Sequence, residues 1–335
     1  MFRFKFLWVV SAICLSLITG CNCGNKRLQV NVSKIPVAPV TIKRYDLDLF
    51  KVRTTLLQHD LEMLKGQYSF FLGTDLSDPS KLAEMKAYLE NQRNINFKDQ
   101  IKSRFSDLKP LENSLTLAFK HYLYYFPQAS VPVVYSYISG GDYTYPVQFA
   151  DNVLLVGLDN YLGKDCKIYK ADGLPAYRAG TMTPDFILPD VMKALSFKVF
   201  PEQFPGNNLL EQMIESGKRL YFCEAMIPET KAQYIVHYTP SQFNWIVKNE
   251  APVWTAIIEN GMLYTSNGKL IRSFMADGPF TSEFSKEAPP RLGEWLGWRI
   301  VGKYMENQPE VTLQQLMAEK DFQKILTLSK FKPKK

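Results

Sequence analysis

Only one long apolar run occurs in this chain, and it stands at the extreme N-terminus: Phe6 to Ile18, behind the basic Arg3 and Lys5. A membrane-spanning helix needs roughly 20 apolar residues. This run is shorter and carries the basic flank of a secretory signal. Everything after it must fold from its own side chains, and these suffice. Of 335 residues, 46% are hydrophobic and 13% aromatic, with 18 Tyr and 22 Phe. Rings in that number fill a sizeable core without a disulfide framework. The composition excludes wholesale disorder and collagen-like repeats, and the single apolar run excludes a polytopic membrane protein.

The run ends in Ile18-Thr19-Gly20-Cys21. This resembles the lipobox of bacterial lipoproteins: an apolar residue, two small ones, then Cys. The resemblance implies cleavage between Gly20 and Cys21 and diacylglycerol transfer to the Cys21 thiol. An ordinary signal peptide with a chance Cys, or a short anchor, is the alternative. Each buried methylene is worth about 0.8 kcal/mol, so two or three acyl chains hold a protein on a membrane almost irreversibly. The chain then divides into a signal (1–20), a tether (21–37) and a single α+β domain (38–335) with a basic C-terminal tail. Asn22, rather than Asp, follows the lipobox. By the enterobacterial sorting rule this points to the periplasmic face of the outer membrane; the cytoplasmic membrane and the cell surface are the alternatives.

Loss of Arg3 and Lys5 with the signal leaves 38 basic against 33 acidic residues, a net of +5. Lys330, Lys332, Lys334 and Lys335 supply four of these charges, so the folded body is close to neutral. Nucleic-acid binding needs a basic stripe interleaved with aromatics, and none is present. Cys14 leaves with the signal and Cys21 is the lipidation site. Cys23, Cys166 and Cys223 then form neither a framework nor a CxxC knuckle. A Cys166–Cys223 bridge and two buried thiols are both open, the second being the plainer reading.

Val40 to Phe50 alternates like a strand, and residues 51–66 read as a helix. Another helix follows Ser77 to Lys81 through Leu82, Met85, Tyr88 and Leu89. From Pro110, Leu111, Leu115, Ala118, Phe119, Tyr122 and Phe126 share one helical face, read as core. Val131 to Ile138 and the buried run Val153 to Leu158 predict strands, with Gly140-Gly141-Asp142 as a turn. Helices are expected over 189–199, 208–226, 241–260, 291–306 and 312–328, with Thr239-Pro240 as N-cap and N1. Residues 291–306 are apolar nearly all round. Gly293 and Gly297 there permit close approach of a second helix, so this helix belongs inside the fold. The expected architecture is α+β: a small central sheet packed by many helices, with a mostly helical C-terminal half.

His59, His121 and His237 lack metal-ligand spacing and read as structural. There is no HExxH, P-loop, GxGxxG or GxSxG pattern. Asp46, Asp48, Asp159 and Glu224 lie in or beside apolar segments, and strand-end carboxylates usually cap backbone N–H groups.

Several segments have the look of signatures: Val156 to Gly163, Leu209 to Phe222, Gln242 to Glu250, Pro290 to Met305 and Ile325 to Pro333. As a set they resemble the gliding motility-associated lipoprotein GldB family of the Bacteroidetes, over essentially the whole chain. Within them Gly157, Asp159, Tyr161, Gly217, Lys218, Trp245, Gly293, Trp295 and Gly297 are the signature residues. The resemblance implies an envelope lipoprotein tied to surface gliding and its coupled secretion machinery, with other proteins of that apparatus as partners. A more distant resemblance is to gluzincin-type zinc proteases, where a His-Glu-x-x-His helix precedes a later Glu-Gly. Laid on this chain, the motif falls on Pro189, Asp190 and Lys193, and the later Glu on Ser216. Pro has no donor, Lys is a cation and Ser is a poor ligand, whereas catalytic zinc needs three protein ligands and an open position. This resemblance implies a degenerate zincin-like fold, a pseudoprotease without metal or cofactor.

Three functions are therefore weighed. The first is a non-catalytic envelope component. The second is a sugar- or peptide-binding lipoprotein using Tyr122, Tyr124, Tyr125, Tyr135, Tyr137, Tyr143 and Tyr145. The third is a hydrolase using carboxylates that the sequence does not single out. Cys21→Ser is expected to abolish acylation and release the protein from membranes. Radiolabelled palmitate incorporated into the Ser variant would refute the lipobox reading.

Overall fold

The computed structural model describes residues 26–201 and 206–333. Gly20 and Cys21 lie outside the described residues. In chain order the elements begin with β1 (Ile42–Arg44), α1 (Tyr45–Asp48), α2 (Leu57–Leu72), α3 (Pro79–Glu90), α4 (Gln92–Arg104) and α5 (Lys109–Tyr125). Then come β2 (Val133–Tyr137), β3 (Val147–Ala150), β4 (Val153–Gly157), α6 (Lys167–Ala171), α7 (Ala176–Ala179) and α8 (Ile187–Val199). The remainder is helical: α9 (Leu209–Met226), α10 (Ala232–Ile235), α11 (Pro240–Glu259), α12 (Gly268–Met275), α13 (Leu292–Asn307), α14 (Leu313–Ala318) and α15 (Phe322–Ser329). The fold is α+β, as expected.

The sheet has the order β1-β2-β4-β3, with β3 antiparallel to β4 and the other pairs parallel. Side-chain alternation assigns its two faces. Val134 aligns with Leu154, and both enter the large core with Ile42, Phe119, Leu195 and the C-terminal helices. Tyr135 aligns with Leu155, and both face a smaller core with Tyr45, Leu49, Leu61 and Tyr68. The sheet is thus the middle of three layers.

Several boundaries differ from the sequence reading. The helix expected over residues 51–66 runs instead over Leu57–Leu72, after two short 3-10 turns. The strand expected over Val40–Phe50 stops at Arg44, because Tyr45 and Leu49, four apart, both reach the smaller core from a helical turn. The helix expected over 312–328 breaks after Ala318: Glu319 is extended, and Asp321 caps a new helix by accepting from the Lys324 N–H at 2.8 Å. The segment assigned to the tether is docked from Lys26 onward. Leu28 and Val32 are buried, and Arg27 donates to the carbonyls of Met305, Val311 and, at 3.0 Å, Gln308. At the other end Phe331 is buried edge-on against Trp254, so the basic tail is held at least that far. Thr239 forms a full capping box with Gln242. Cys166 and Cys223 are free and buried, and burial pushes the Cys223 thiol up to about 12.

The helix α13 is interior, as its apolar girth predicts, and α9 crosses it through glycine. A Cβ on Gly217 would lie 2.2 Å from the Gly297 carbonyl carbon, and one on Gly297 would lie 1.7 Å from the Met213 oxygen. The two backbones touch, and no L side chain fits between them. On the same helix a Cβ at Gly302 meets nothing within 4 Å.

Gly297→Val must therefore push the two helices apart and is expected to cost at least about 1–3 kcal/mol. Gly302→Ala should be neutral or stabilise by up to about 1 kcal/mol, since Ala gives up less backbone entropy in a helix. Thermal melts of the two variants test the crossing; a Gly297→Val protein melting with the wild type would refute it.

Candidate functional site

Strands β2 and β4 run parallel and end side by side at Tyr137 and Gly157. The chain leaving each end builds one wall of a cleft. After β4 comes a helical turn, Leu158–Asn160. Asp159, fully buried, reaches back to the glycine turn that follows β2. Its carboxylate accepts from the Ser139 N–H (2.9 Å), the Gly141 N–H (3.1 Å) and the Ser139 hydroxyl (2.7 Å). Burial pushes its carboxyl above the usual range, and these donors partly offset the shift. Asp159 is thus a structural cap. Gly157 makes room for Asn160, whose amide nitrogen would stand 2.9 Å from a Cβ there.

Tyr161 is buried and donates its hydroxyl to Asp190 Oδ2 at 2.7 Å. Asp190 sits in the first turn of α8, where the helix dipole favours a carboxylate. Its other oxygen lies 2.9 Å from His237 Nε2, within ion-pair range but off the line of a well-formed hydrogen bond. Burial pushes Asp190 up; His237, Tyr161 and Lys193 outweigh that and hold it below the ordinary carboxylate range. Burial, then the Asp190 charge, drives the Tyr161 hydroxyl far above its ordinary value.

The opposite wall comes from the entry to α13. Arg291 donates from Nη2 to the His237 carbonyl at 2.8 Å, and its Nε is 4.0 Å from Asp277. Glu294 is 3.8 Å from Lys193 Nζ. His237 and Arg291 both take φ of +58°, a left-handed conformation that costs a non-glycine residue about 1–3 kcal/mol. The fold holds two such residues in contact here. The cleft encloses about 390 Å³, within the size range of ligand sites. A second cavity of about 200 Å³, lined by Gln212, Glu215, Ser216 and Arg219, shares Lys193, Met275 and Glu294 with it. The two read as one groove with the Lys193–Glu294 pair at the seam.

Polar bookkeeping singles out the same place. Among the described residues, six buried side-chain polar atoms lack a hydrogen-bond partner, and three of them line the cleft: Asn160 Oδ1, His237 Nε2 and Arg291 Nε. A buried polar group without a partner costs about 1–3 kcal/mol, more when charged. Such groups in a folded protein need an explanation, and a ligand is one.

Of the positions matched to the protease motif, Pro189 is buried in α8, Asp190 faces the cleft, Lys193 is at the seam and Ser216 lines the second cavity. The groove therefore gathers three of the four. Among the described residues no cluster of three His, Cys, Asp or Glu is placed to hold a metal. Of the signature residues, Tyr161 reaches the cleft directly, and Gly157 and Asp159 shape its wall. Gly217, Gly293 and Gly297 set helix crossings: a Cβ on Gly293 would strike Met275. Lys218 staples α9 to the Glu319 carbonyl, Trp245 packs at the edge of the large core, and Trp295 donates to Glu250 at 2.8 Å. The tyrosine-rich segment scatters instead. Tyr122 and Tyr135 are in the cores, Tyr124 and Tyr125 pack on each other, and Tyr143 reaches the cleft. Asn160, His237 and Arg291 were not singled out from sequence as site residues. Asn160 and Arg291 stand inside two of the signature segments, which is the one signal that could have found them.

Asp190→Asn keeps the shape and removes the charge. It is expected to cost about 1–3 kcal/mol at neutral pH. Because the folded Asp190 titrates lower than the unfolded residue, its stabilisation is present above the unfolded value and fades as pH falls through the folded one. The gap between wild-type and variant unfolding free energies should therefore close in acid. A gap that is constant with pH would refute the ion-pair assignment.

Compared with known proteins, residues 25–333 match the family described as gliding motility protein GldB. No curated protein and no solved structure matches the chain. The gluzincin resemblance finds no support in these comparisons.

Proposed function

Since the chain belongs to the gliding motility protein GldB family, we propose that it is a non-catalytic, lipid-anchored envelope component of the gliding apparatus and its coupled secretion machinery. In this reading it works by holding a partner in the groove. The attachment, in this reading, is the lipid on Cys21; no described helix is long and apolar enough to cross a membrane. The observation that carries the binding reading is the pairing of the cleft's charges. Asp190 lies 2.9 Å from His237 and Glu294 lies 3.8 Å from Lys193, while Asp277 stays 4.0 Å from Arg291 Nε, beyond hydrogen-bond range. Against the push of burial, His237, Tyr161 and Lys193 hold Asp190 below the ordinary carboxylate range, whereas acid–base catalysis needs a group poised near the working pH. The Tyr161 hydroxyl, raised far above neutrality, does not supply one.

His237→Gln separates binding from catalysis. Gln keeps an N–H donor near the position of Nε2 but cannot shuttle a proton. In the native host, a strain lacking the protein is expected to stop gliding, and the His237→Gln chain at wild-type abundance should restore it. Complete loss of gliding at normal abundance would overturn the non-catalytic reading.

A further inference from the structure

Ser139 fixes what the cleft lacks. Its single hydroxyl proton faces acceptors only, the Asp159 carboxylate at 2.7 Å and the Asp142 carbonyl at 3.2 Å. Toward Asn160, Ser139 Oγ can therefore only accept, and the Asn160 amide nitrogen donates to it at 3.2 Å. This sets the orientation of the amide. The orphan atom of Asn160, a residue 2% exposed, is its oxygen, which requires a donor. Arg291 Nε, on the other wall, is a buried charged donor whose nearest carboxylate, Asp277, is too distant for a hydrogen bond. The site thus asks a ligand for one N–H or O–H and, separately, for an anionic acceptor.

We infer that the groove binds an extended polypeptide segment of a partner, with a backbone N–H on Asn160 Oδ1 and a carboxylate on Arg291. Two observations favour a peptide over a glycan. Sugars bind on open aromatic faces, and the cleft offers few. Of the three tyrosines lining the cleft, Tyr161 is buried and Tyr143 is locked edge-on against Tyr169 at 5.5 Å with its hydroxyl on Asp172, which leaves the half-buried Tyr177. The groove also continues past the Lys193–Glu294 seam into the second cavity, and the length this adds suits an extended chain. The carboxylate can come from a chain terminus or from an Asp or Glu side chain. The inference rests on reading the cleft as a binding site.

The test uses the full lipidated chain in nanodiscs and fluorescein-labelled octapeptide pools, read by anisotropy. The pools are randomised with and without Asp and Glu, each with a free or an amidated C-terminus, and chitohexaose serves as the glycan probe. Carboxylate-bearing pools should bind, and Asn160→Ala and Arg291→Gln should each weaken them about tenfold or more. Arg53→Gln, in an exposed ion pair outside the groove, should not. Loss of binding on amidation assigns the carboxylate to a terminus; binding by the amidated acidic pool assigns it to a side chain. Melting temperatures identify any variant that fails to fold. Lys193→Ala, with its side chain 31% exposed, then probes the seam without emptying a buried site, and should weaken acidic pools severalfold. Absence of pool binding, equal binding by folded variants, or capture of chitohexaose instead of peptides would each overturn the inference. None of these results bears on the His237→Gln gliding assay, so the two readings fail separately.

Discussion

Backbone contact between α9 and α13 at Gly217 and Gly297 sets the spacing on which the rest of the C-terminal half depends. With no side chain between them, the two helices approach until the carbonyl groups of one meet the backbone of the other. That depth decides where the remaining faces of both helices point. Glu215 and Arg219 on α9, and Arg291 and Glu294 at the entry of α13, come to border one groove. The same crossing buries Trp295 and Trp298, and their indole N–H groups find Glu250 and Glu224. A buried indole is tolerated because its donor is satisfied. The glycines therefore do two things at once: they allow a dense core, and they fix the geometry of a polar surface beside it.

The groove stands where independent costs coincide. Two residues in left-handed conformations and three unpartnered polar atoms share one small volume. Each is unfavourable or constrained by itself, and the surrounding core holds them in place. The capping box at Thr239 fixes the start of α11 just past His237, and the Tyr238 hydroxyl bonds to the Pro290 carbonyl at 2.7 Å beside Arg291. The positions of the imidazole and guanidinium are set by packed backbone rather than by their own flexible side chains. Such preorganisation suits recognition, because less ordering remains to be done when a ligand arrives.

Much of this was legible in the chain before folding. The apolar girth of 291–306 and its glycines announced an interior helix crossed at close range. Thr239-Pro240 announced a helix start, and the apolar run at 153–158 a strand buried on both faces. These signals are local or periodic: a cap is three residues long, and a buried face repeats with the turn of a helix. Tyr45 shows the limit. The alternation through Val40–Phe50 fits a strand and its four-residue spacing fits a helix, and only contact with Leu61 and Tyr68 selects the helix.

The groove was legible only in part: the sequence names Asp190, Lys193, Ser216 and Tyr161, but not their assembly with Asn160, His237 and Arg291. Asn160, Asp190, His237 and Arg291 come from four separate elements, and no spacing along the chain joins them. Asn160 is an orphan only because Ser139 has already spent its proton on Asp159, a relation across the ends of two strands. His237 reads as an ordinary structural histidine until α8 brings Asp190 within 2.9 Å of it. By itself the sequence determined the segments, their amphipathic faces and the points of closest helix approach, because those follow from side-chain size and period. Which polar groups end up facing one another, and which are left without partners, was decided by the tertiary structure. Hydrogen bonding and Coulomb interactions act over a few ångströms in space and take no account of distance along the chain.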